Sequence, residues 1–222
     1  MSGGAGQGYF ISPEEGPGPG ILLLHSFWGL NRQTKDTANR LADSGFTVLA
    51  PDLADGEVYT DDDKAMAALA EMNVNVNASL VQSSLGILRR AARDKTAPIG
   101  VVGYGSGASW ALWVSARLFE EVSAVVTYYG SQNIPMDTAR ASYLGHWAET
   151  DDIVSDLEVA DLGLSLQMAG LDFRFEHHEN TAHGFAEEGH AAFDGQAEAI
   201  AWRQTAEFLA NTLELRESES TD

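Results

Sequence analysis

The chain has 222 residues, of which 44% are hydrophobic, so it can bury a core of the size expected for one domain. It contains no cysteine, which excludes disulfides, thiolate metal sites and a cysteine nucleophile. Its 33 acidic and 13 basic residues give a net charge of −20, which disfavours nucleic acids and anionic membranes as partners. We expect a single domain over residues 1–222, with loose tails at 1–8 and 214–222.

The start of the chain and its hydropathy predict where the protein resides. Met1 to Gly8 lacks the basic and apolar segments of a secretory leader. No apolar run approaches the roughly 18 residues that a bilayer span needs. We therefore expect a cytoplasmic monomer or homodimer that acts on a small molecule and needs no cofactor and no metal.

Short apolar runs and helical patterns alternate along the chain. The predicted strands, in chain order, are 9–11, 21–25, 46–50, 99–102, 122–128, 141–147 and 172–177. The predicted helices are 31–43, 64–72, 78–93, 106–118, 153–169 and 193–213. This alternation predicts an α/β fold with an open, mostly parallel sheet and helices on both faces. Ligands of such folds bind beyond the carboxyl ends of the strands.

The first informative strand end is the loop from His25 to Asn31. In α/β-hydrolases a loop after an early strand supplies one backbone N–H of the oxyanion hole. We assign this donor to Phe27, with Ser26 as the next candidate. On these residues alone, an ordinary strand-to-helix turn with Trp28 as a core aromatic is the better explanation.

The second strand end is the glycine-rich turn Gly103-Tyr104-Gly105-Ser106-Gly107-Ala108, between a predicted strand and a predicted helix. This context is typical of a nucleophile elbow, where small residues on both sides let the strand and the helix approach closely. A dinucleotide-binding turn is disfavoured, because the third glycine of G-x-G-x-x-G is missing. A P-loop is disfavoured because the turn has no lysine.

Two further strand ends carry an acid and a histidine. Asp151 follows the strand 141–147, and His183 follows the strand 172–177. Each residue alone has an ordinary explanation, as a helix cap or a structural histidine. The order elbow, acid, histidine is nevertheless that of the α/β-hydrolases, in which the acid orients the histidine.

Together, residues 24–31, 103–108, 145–151 and 182–185 resemble the dienelactone hydrolase family, over nearly the whole chain. Pro51-Asp52-Leu53 also resembles a hallmark of this family. The resemblance implies the α/β-hydrolase fold, a Cys or Ser nucleophile, and hydrolysis of lactones or small carboxylic esters. It makes Asp151 the orienting acid and His183 the general base.

The chain departs from the family pattern at two positions. Gly105 aligns with the nucleophile, although glycine has no side chain that can attack a carbonyl. Ser26 stands where several members carry a glutamate that holds the thiol neutral. The nearest hydroxyl to the nucleophile position is that of Ser106.

Three interpretations of Gly105 remain open at this point. In the first interpretation, the turn is shifted by one residue and Ser106 is the nucleophile. Alternatively, the protein has lost the covalent nucleophile and acts as an acid–base enzyme or as a ligand-binding protein. In the third interpretation, glycine is a substitution in this chain and the parent protein has Ser or Cys at 105.

Aromatic and histidine residues near these strand ends are weaker candidates for a functional role. Four aromatic residues could line an apolar pocket, namely Trp28, Tyr104, Trp110 and Phe185. His177 and His178 lie close to His183 in the chain, but no carboxylates with ligand spacing accompany them. We expect them to be surface residues at a strand end.

Overall fold

A computed structural model describes residues 6–219 and the side chains of 6–213. Seven strands form one sheet. They are β1 (Gly8–Ile11), β2 (Gly20–Leu24), β3 (Thr47–Pro51), β4 (Ile99–Tyr104), β5 (Val122–Tyr128), β6 (Ser142–Thr150) and β7 (Phe173–Ala182). The helices of the described chain are α1 (Arg32–Asp43), α2 (Asp62–Glu71), α3 (Val74–Ala91), α4 (Ser106–Arg117), α5 (Asp156–Met168) and α6 (Gly195–Glu219).

The strand order in the sheet is β1-β3-β2-β4-β5-β6-β7. Strand β1 is antiparallel to β3 at one edge, and the other neighbouring pairs are parallel. The predicted α/β-hydrolase architecture, an open and mostly parallel sheet, is confirmed. All carboxyl ends of the parallel strands therefore lie along one edge of the sheet, where the candidate site residues follow them.

Side chains of the central strands alternate between two hydrophobic layers. Leu22 and Leu24 of β2 pack in the layer that α3, α4 and α5 cover. Ile21 and Leu23 of the same strand pack in the layer that α1 and α6 cover. All four are fully buried, and each contributes about 1.5–3 kcal/mol of transfer free energy. Burial on both faces explains why this strand is an unbroken apolar run.

Polar side chains fix where the helices begin. The side chains of Asn31, Asp61 and Asn73 accept backbone N–H groups in the first turns of α1, α2 and α3. Ser155 and Glu158 form a capping box at the start of α5. These caps satisfy amides that have no acceptor inside the helix.

The structure differs from the sequence-based elements mainly at their ends. Helix α3 begins at Val74 rather than residue 78, because Asn73 caps it. Strand β7 continues to Ala182 rather than 177 by pairing with β6. Helix α6 reaches Glu219, beyond the predicted end at 213. The predicted tail residues 1–5 and 220–222 lie outside the described residues.

Among the described residues, no helix combines the length and apolar character that crossing a membrane requires.

Candidate active site

Four loops at the carboxyl edge of the sheet form the candidate site. Phe27 follows β2, Gly105 follows β4, Asp151 follows β6 and His183 follows β7. These residues are far apart in sequence, but they lie near one another because parallel strands end at the same edge of the sheet.

His183 and Asp151 are hydrogen-bonded to each other. The imidazole Nδ1 lies 2.8 Å from one carboxylate oxygen of Asp151 and 3.0 Å from the other. Asp151 also accepts the backbone N–H groups of Ile153 and Val154, each at 2.8 Å. The carboxylate is thereby held in place by its own loop. Since a carboxylate accepts, the ring hydrogen is on Nδ1 and the lone pair is on Nε2.

The sharp turn of the elbow lies at Gly105. This residue has φ 49° and ψ −116° and immediately precedes α4. Positive φ is strained for residues with a Cβ atom, and nucleophile elbows hold such strain. On either side, a Cβ at Gly103 would lie 2.4 Å from the carbonyl oxygen of Gly107, and one at Gly107 would lie 2.2 Å from that of Leu24. The backbone overlap explains why both flanks are glycine.

Position 105 faces the free nitrogen of His183. A Cβ placed on Gly105 would lie 3.8 Å from His183 Nε2 and 3.4 Å from the Cβ of Ser26. Nε2 is buried, and no described residue forms a hydrogen bond with it. The arrangement is therefore that of a histidine aimed at a nucleophile position that carries no side chain.

Ser106 is the first residue of α4 and not the residue at the turn. Its hydroxyl makes no hydrogen bond with His183 Nε2, because that atom has no partner among the described residues. The turn is thus not shifted by one residue. The backbone N–H of Ser106 has no acceptor within the helix and lies at its positive end. This amide and that of Phe27 are the candidates for an oxyanion hole.

His25 holds the loop that carries Ser26 and Phe27. Its Nδ1 donates to the carbonyl oxygen of Ser26 at 2.6 Å, and its Nε2 accepts the N–H of Leu53 at 2.9 Å. Burial lowers the pKa of His25, against smaller opposing effects of the Ser26 hydrogen bond and of Asp52. A neutral ring fits this pattern of one donor and one acceptor. Sequence reasoning did not find this role.

A buried carboxyl group lies directly behind Ser26. Glu187 accepts the hydroxyl of Ser26 at 2.8 Å and the hydroxyl of Tyr129 at 3.0 Å. Burial raises the pKa of Glu187 to about 7, although these two hydrogen bonds lower it. Glu187 was not predicted as a site residue, and its position four residues after His183 was the only sequence signal.

Three of the predicted pocket aromatics do not line the cavity beside the site. Tyr104 stacks on Tyr128 with ring centroids 4.3 Å apart, and Phe185 is fully buried against the same core layer. Trp28 packs on His190 and donates to Asp62. The predicted binding role of Tyr104 and Trp28 is therefore corrected: their side chains point into packed layers. Trp110 does line the cavity.

His177 is exposed as expected, whereas His178 is buried, so its prediction as a surface residue was wrong. The strand continues past it, and its Nε2 lies 3.1 Å from Nδ1 of the buried His146. Burial lowers the pKa of both histidines. No group of three His, Asp or Glu side chains in the described part of the chain is placed to hold a metal ion.

A cavity of about 1010 Å³ opens beside the elbow. Ser26, Phe27 and Ser106 form its wall at the site, and α2, α3 and the loop after β3 form the rest. Most of the lining is apolar. In the part of the chain that the structure describes, Asp52 and Asp55 are its acidic residues, and neither lysine nor arginine lines it.

Comparison with known proteins agrees with this geometry. The sheet and its covering helices are those of an α/β-hydrolase. A solved dienelactone hydrolase-like promiscuous phosphotriesterase from metagenomic libraries has the same fold, with a TM-score of 0.79 at 20% identity over 94% of this chain and 99% of its own.

The family model described as dienelactone hydrolase family matches residues 7–213, so the chain belongs to the dienelactone hydrolase family. "Protein usf" of Aquifex pyrophilus is 24% identical and covers 93% of this chain and 94% of its own. A carboxymethylenebutenolidase of Pseudomonas putida is 25% identical and covers 90% and 88%. The chain is thus a member of a hydrolase family.

Proposed function

We propose that the protein hydrolyses lactones or small carboxylic esters by direct attack of water, with His183 as the general base. The observation that carries this proposal is the buried Nε2 of His183, which no described residue binds and which faces position 105 at 3.8 Å. A water molecule near position 105 takes the place that the family gives to a nucleophile side chain. No acyl-enzyme forms in this reaction.

The proposed steps use the chain's own groups. His183 Nε2 takes a proton from water as the water oxygen bonds to the carbonyl carbon, and Asp151 stabilises the resulting imidazolium. The N–H groups of Phe27 and Ser106 stabilise the negative oxygen. When the bond to the leaving group breaks, His183 returns the proton to the departing oxygen. The products are an acid and an alcohol, or a hydroxy acid from a lactone.

The lining of the cavity favours an uncharged substrate. Asp52 and Asp55 lie in its wall, and no lysine or arginine among the described residues lines it. A carboxylate on the substrate would lose hydration here without gaining a partner of opposite charge, which is costly. Phe27, Leu53 and Trp110 offer apolar surface instead. The name of the Pseudomonas putida relative refers to a carboxymethylene group, and we infer that this chain differs from that relative in substrate charge.

The test is hydrolysis of 4-nitrophenyl acetate and of the neutral lactone dihydrocoumarin. We expect slow turnover that His183→Ala lowers about a hundredfold or more, since general base catalysis contributes that much. His177→Ala, at an exposed histidine in the strand that precedes His183, is the matched control. Equal rates for the wild type and His183→Ala would overturn the proposal.

Ser106 is tested in the same assay. Ser106→Ala keeps the backbone N–H, so we expect it to lose at most a few-fold of the rate. A loss as large as that of His183→Ala, together with labelling of Ser106 by a fluorophosphonate, would assign the attack to this serine.

A ligand-binding protein without catalysis is the second candidate, because glycine replaces the nucleophile beside a large cavity. It predicts no His183-dependent turnover, together with saturable quenching of Trp110 fluorescence by the same lactone. Turnover that depends on His183 excludes it.

Substrate charge is tested with two esters of similar size, neutral 4-nitrophenyl butyrate and anionic mono-4-nitrophenyl succinate. Rates are divided by those of the uncatalysed hydroxide reaction. We expect kcat/KM to favour the neutral ester by about tenfold or more, equivalent to about 1.4 kcal/mol. A preference for the anionic ester contradicts the inference from the cavity wall.

A further inference from the structure

The buried pair Ser26–Glu187 is not used by the mechanism above. Glu187 has two neutral hydroxyl donors, and no ion pair to it is found in the described part of the chain. A buried acid with neutral partners contributes little to stability and often destabilises. Such groups are enriched at functional sites, which directs attention to what the pair contacts.

Ser26 lies next to the nucleophile position, residue 105. Its Cβ is 3.4 Å from the Cβ position of Gly105, and the residue lines the cavity. The same Cβ position lies 3.8 Å from His183 Nε2, so Ser26 and His183 both border position 105.

The hydrogen bond to Glu187 determines which way the Ser26 hydroxyl acts. Its hydrogen is donated to Glu187 at 2.8 Å, so its oxygen is left as an acceptor. The N–H of Trp28 approaches one lone pair at a long 3.4 Å, and the second lone pair remains. When Glu187 is protonated, the acid can donate instead, and the serine hydrogen is then free to turn towards position 105.

We propose that Ser26 binds and orients the attacking water, and that Glu187 is a positioning residue that keeps the Ser26 hydroxyl an acceptor. The inference rests on the proposed function. The water donates one hydrogen to His183 Nε2 and the other to Ser26 Oγ, which points its lone pair at the carbonyl carbon. His183 alone takes and returns a proton. Ser26 and Glu187 end each turnover with the protons they held at the start.

The experiment measures kcat and KM for 4-nitrophenyl butyrate across pH 5 to 9. In the wild type both His183 and Glu187 must be unprotonated, so log kcat falls with a limiting slope of two on the acid side. We expect a slope of one in Glu187→Gln. Ser26→Ala should also give a slope of one, with kcat about ten- to a hundredfold lower and KM within about twofold. The control is Ser115→Ala, at a buried serine near the C-terminal end of α4 whose hydroxyl is hydrogen-bonded to Leu112 and Tyr143.

Tyr129→Phe provides a second readout if Glu187→Gln does not fold. It removes a donor to the ionised carboxylate but keeps the ring that lies 4.9 Å from the ring of His183. The fall of log kcat on the acid side that is assigned to Glu187 should move to higher pH, since the ionised carboxylate of Glu187 is less stabilised. A fall that stays at the same pH overturns the role of Glu187.

The two proposals fail in different ways. Loss of turnover in His183→Ala, with wild-type kcat and slope in Ser26→Ala, keeps the proposed function and overturns the water-binding role of Ser26. Turnover that is indifferent to His183 overturns both.

Discussion

At the scale of single residues, Gly105 keeps the backbone geometry of a nucleophile elbow but has no side chain that could attack a carbonyl. The φ of 49° would be strained for serine or cysteine but costs glycine little. The turn remains because the glycines at 103 and 107 let β4 and α4 pack tightly against each other. Residue 105 is therefore relaxed, while the histidine opposite still points at it.

Gly105→Ser tests whether only the side chain is missing. The new Cβ meets Ser26 and His183 at ordinary contact distances of 3.4 and 3.8 Å. We expect esterase activity to rise about a hundredfold or more, with an acyl-enzyme burst. The free energy of unfolding should fall by about 1–2 kcal/mol because of the backbone strain. Urea denaturation and stopped-flow assays measure the two effects.

Gly105→Ala is the control, since it adds the same strain without the hydroxyl. Equal activity of the two variants would indicate that His183 is not aligned with position 105.

At the scale of elements, the packing of α4 onto the sheet sets the site. Residue 107 contacts the carbonyls that end β2, and Gly130, after β5, would place a Cβ 2.2 Å from the carbonyl oxygen of Gly105. Three consecutive strand ends therefore meet at the first turn of one helix. Any added atom there displaces backbone rather than a side chain.

Gly107→Ala should destabilise the protein strongly. Its Cβ would lie 2.2 Å from Leu24 O and 2.5 Å from His25 O. Overpacking of this kind costs about 1–3 kcal/mol or more. The measurement is thermal and urea unfolding.

The matched control is Gly86→Ala in the middle of α3, where the nearest atom is Arg90 Nη1 at 3.6 Å. It should stabilise by about 0.5–1 kcal/mol, because alanine favours the helix. A neutral Gly107→Ala would contradict the close approach of α4 to β2.

The sequence made the central strands and the order of the site residues predictable for a physical reason. Strands buried on both faces are continuous apolar runs, and their ends carry the polar residues. Strand β7 lacked this signal beyond 177, because its polar end is fixed by pairing with β6. Glu187 was not predictable, since an acid in a polar loop is normally solvated and only the fold buries it.

At the scale of the whole molecule, buried titratable groups couple stability to pH. Burial raises the pKa of Glu187 from 4.5 to about 7. Between these values the native state holds a proton that the unfolded chain has lost, so stability from this group falls as pH rises through that window. The histidines at 25, 146 and 178 have pKa values lowered from 6.5. The unfolded chain therefore takes up protons on these histidines before the native state does, so the free energy of unfolding falls as the pH drops below 6.5.

Glu187→Gln isolates the first effect. Relative to the wild type, the variant should gain stability between about pH 5 and pH 8, by an amount on the order of 3 kcal/mol, since each pKa unit is worth about 1.4 kcal/mol. Urea unfolding at the two pH values measures it. A difference independent of pH would show that Glu187 is not the group that titrates.

The net charge of −20 predicts a salt effect on the folded state. At about 0.01 M salt the screening length is about 30 Å, whereas at about 0.15 M it is about 8 Å, so repulsion across the surface is reduced. The melting temperature should rise between these concentrations of sodium chloride. The same osmolarity of sucrose is the comparison, and a melting temperature that falls with salt would contradict the prediction.

The tight glycine frame around residue 105 also has a genetic consequence. The glycine codons GGT and GGC each lie one nucleotide from a serine codon and one from a cysteine codon. In a gene with either codon at position 105, a single point mutation would thus place a hydroxyl or a thiol opposite His183, provided that Gly103, Gly107 and Gly130 stay unchanged. Selection for ester hydrolysis from a random library should accordingly return position 105 repeatedly, and those three neighbours never.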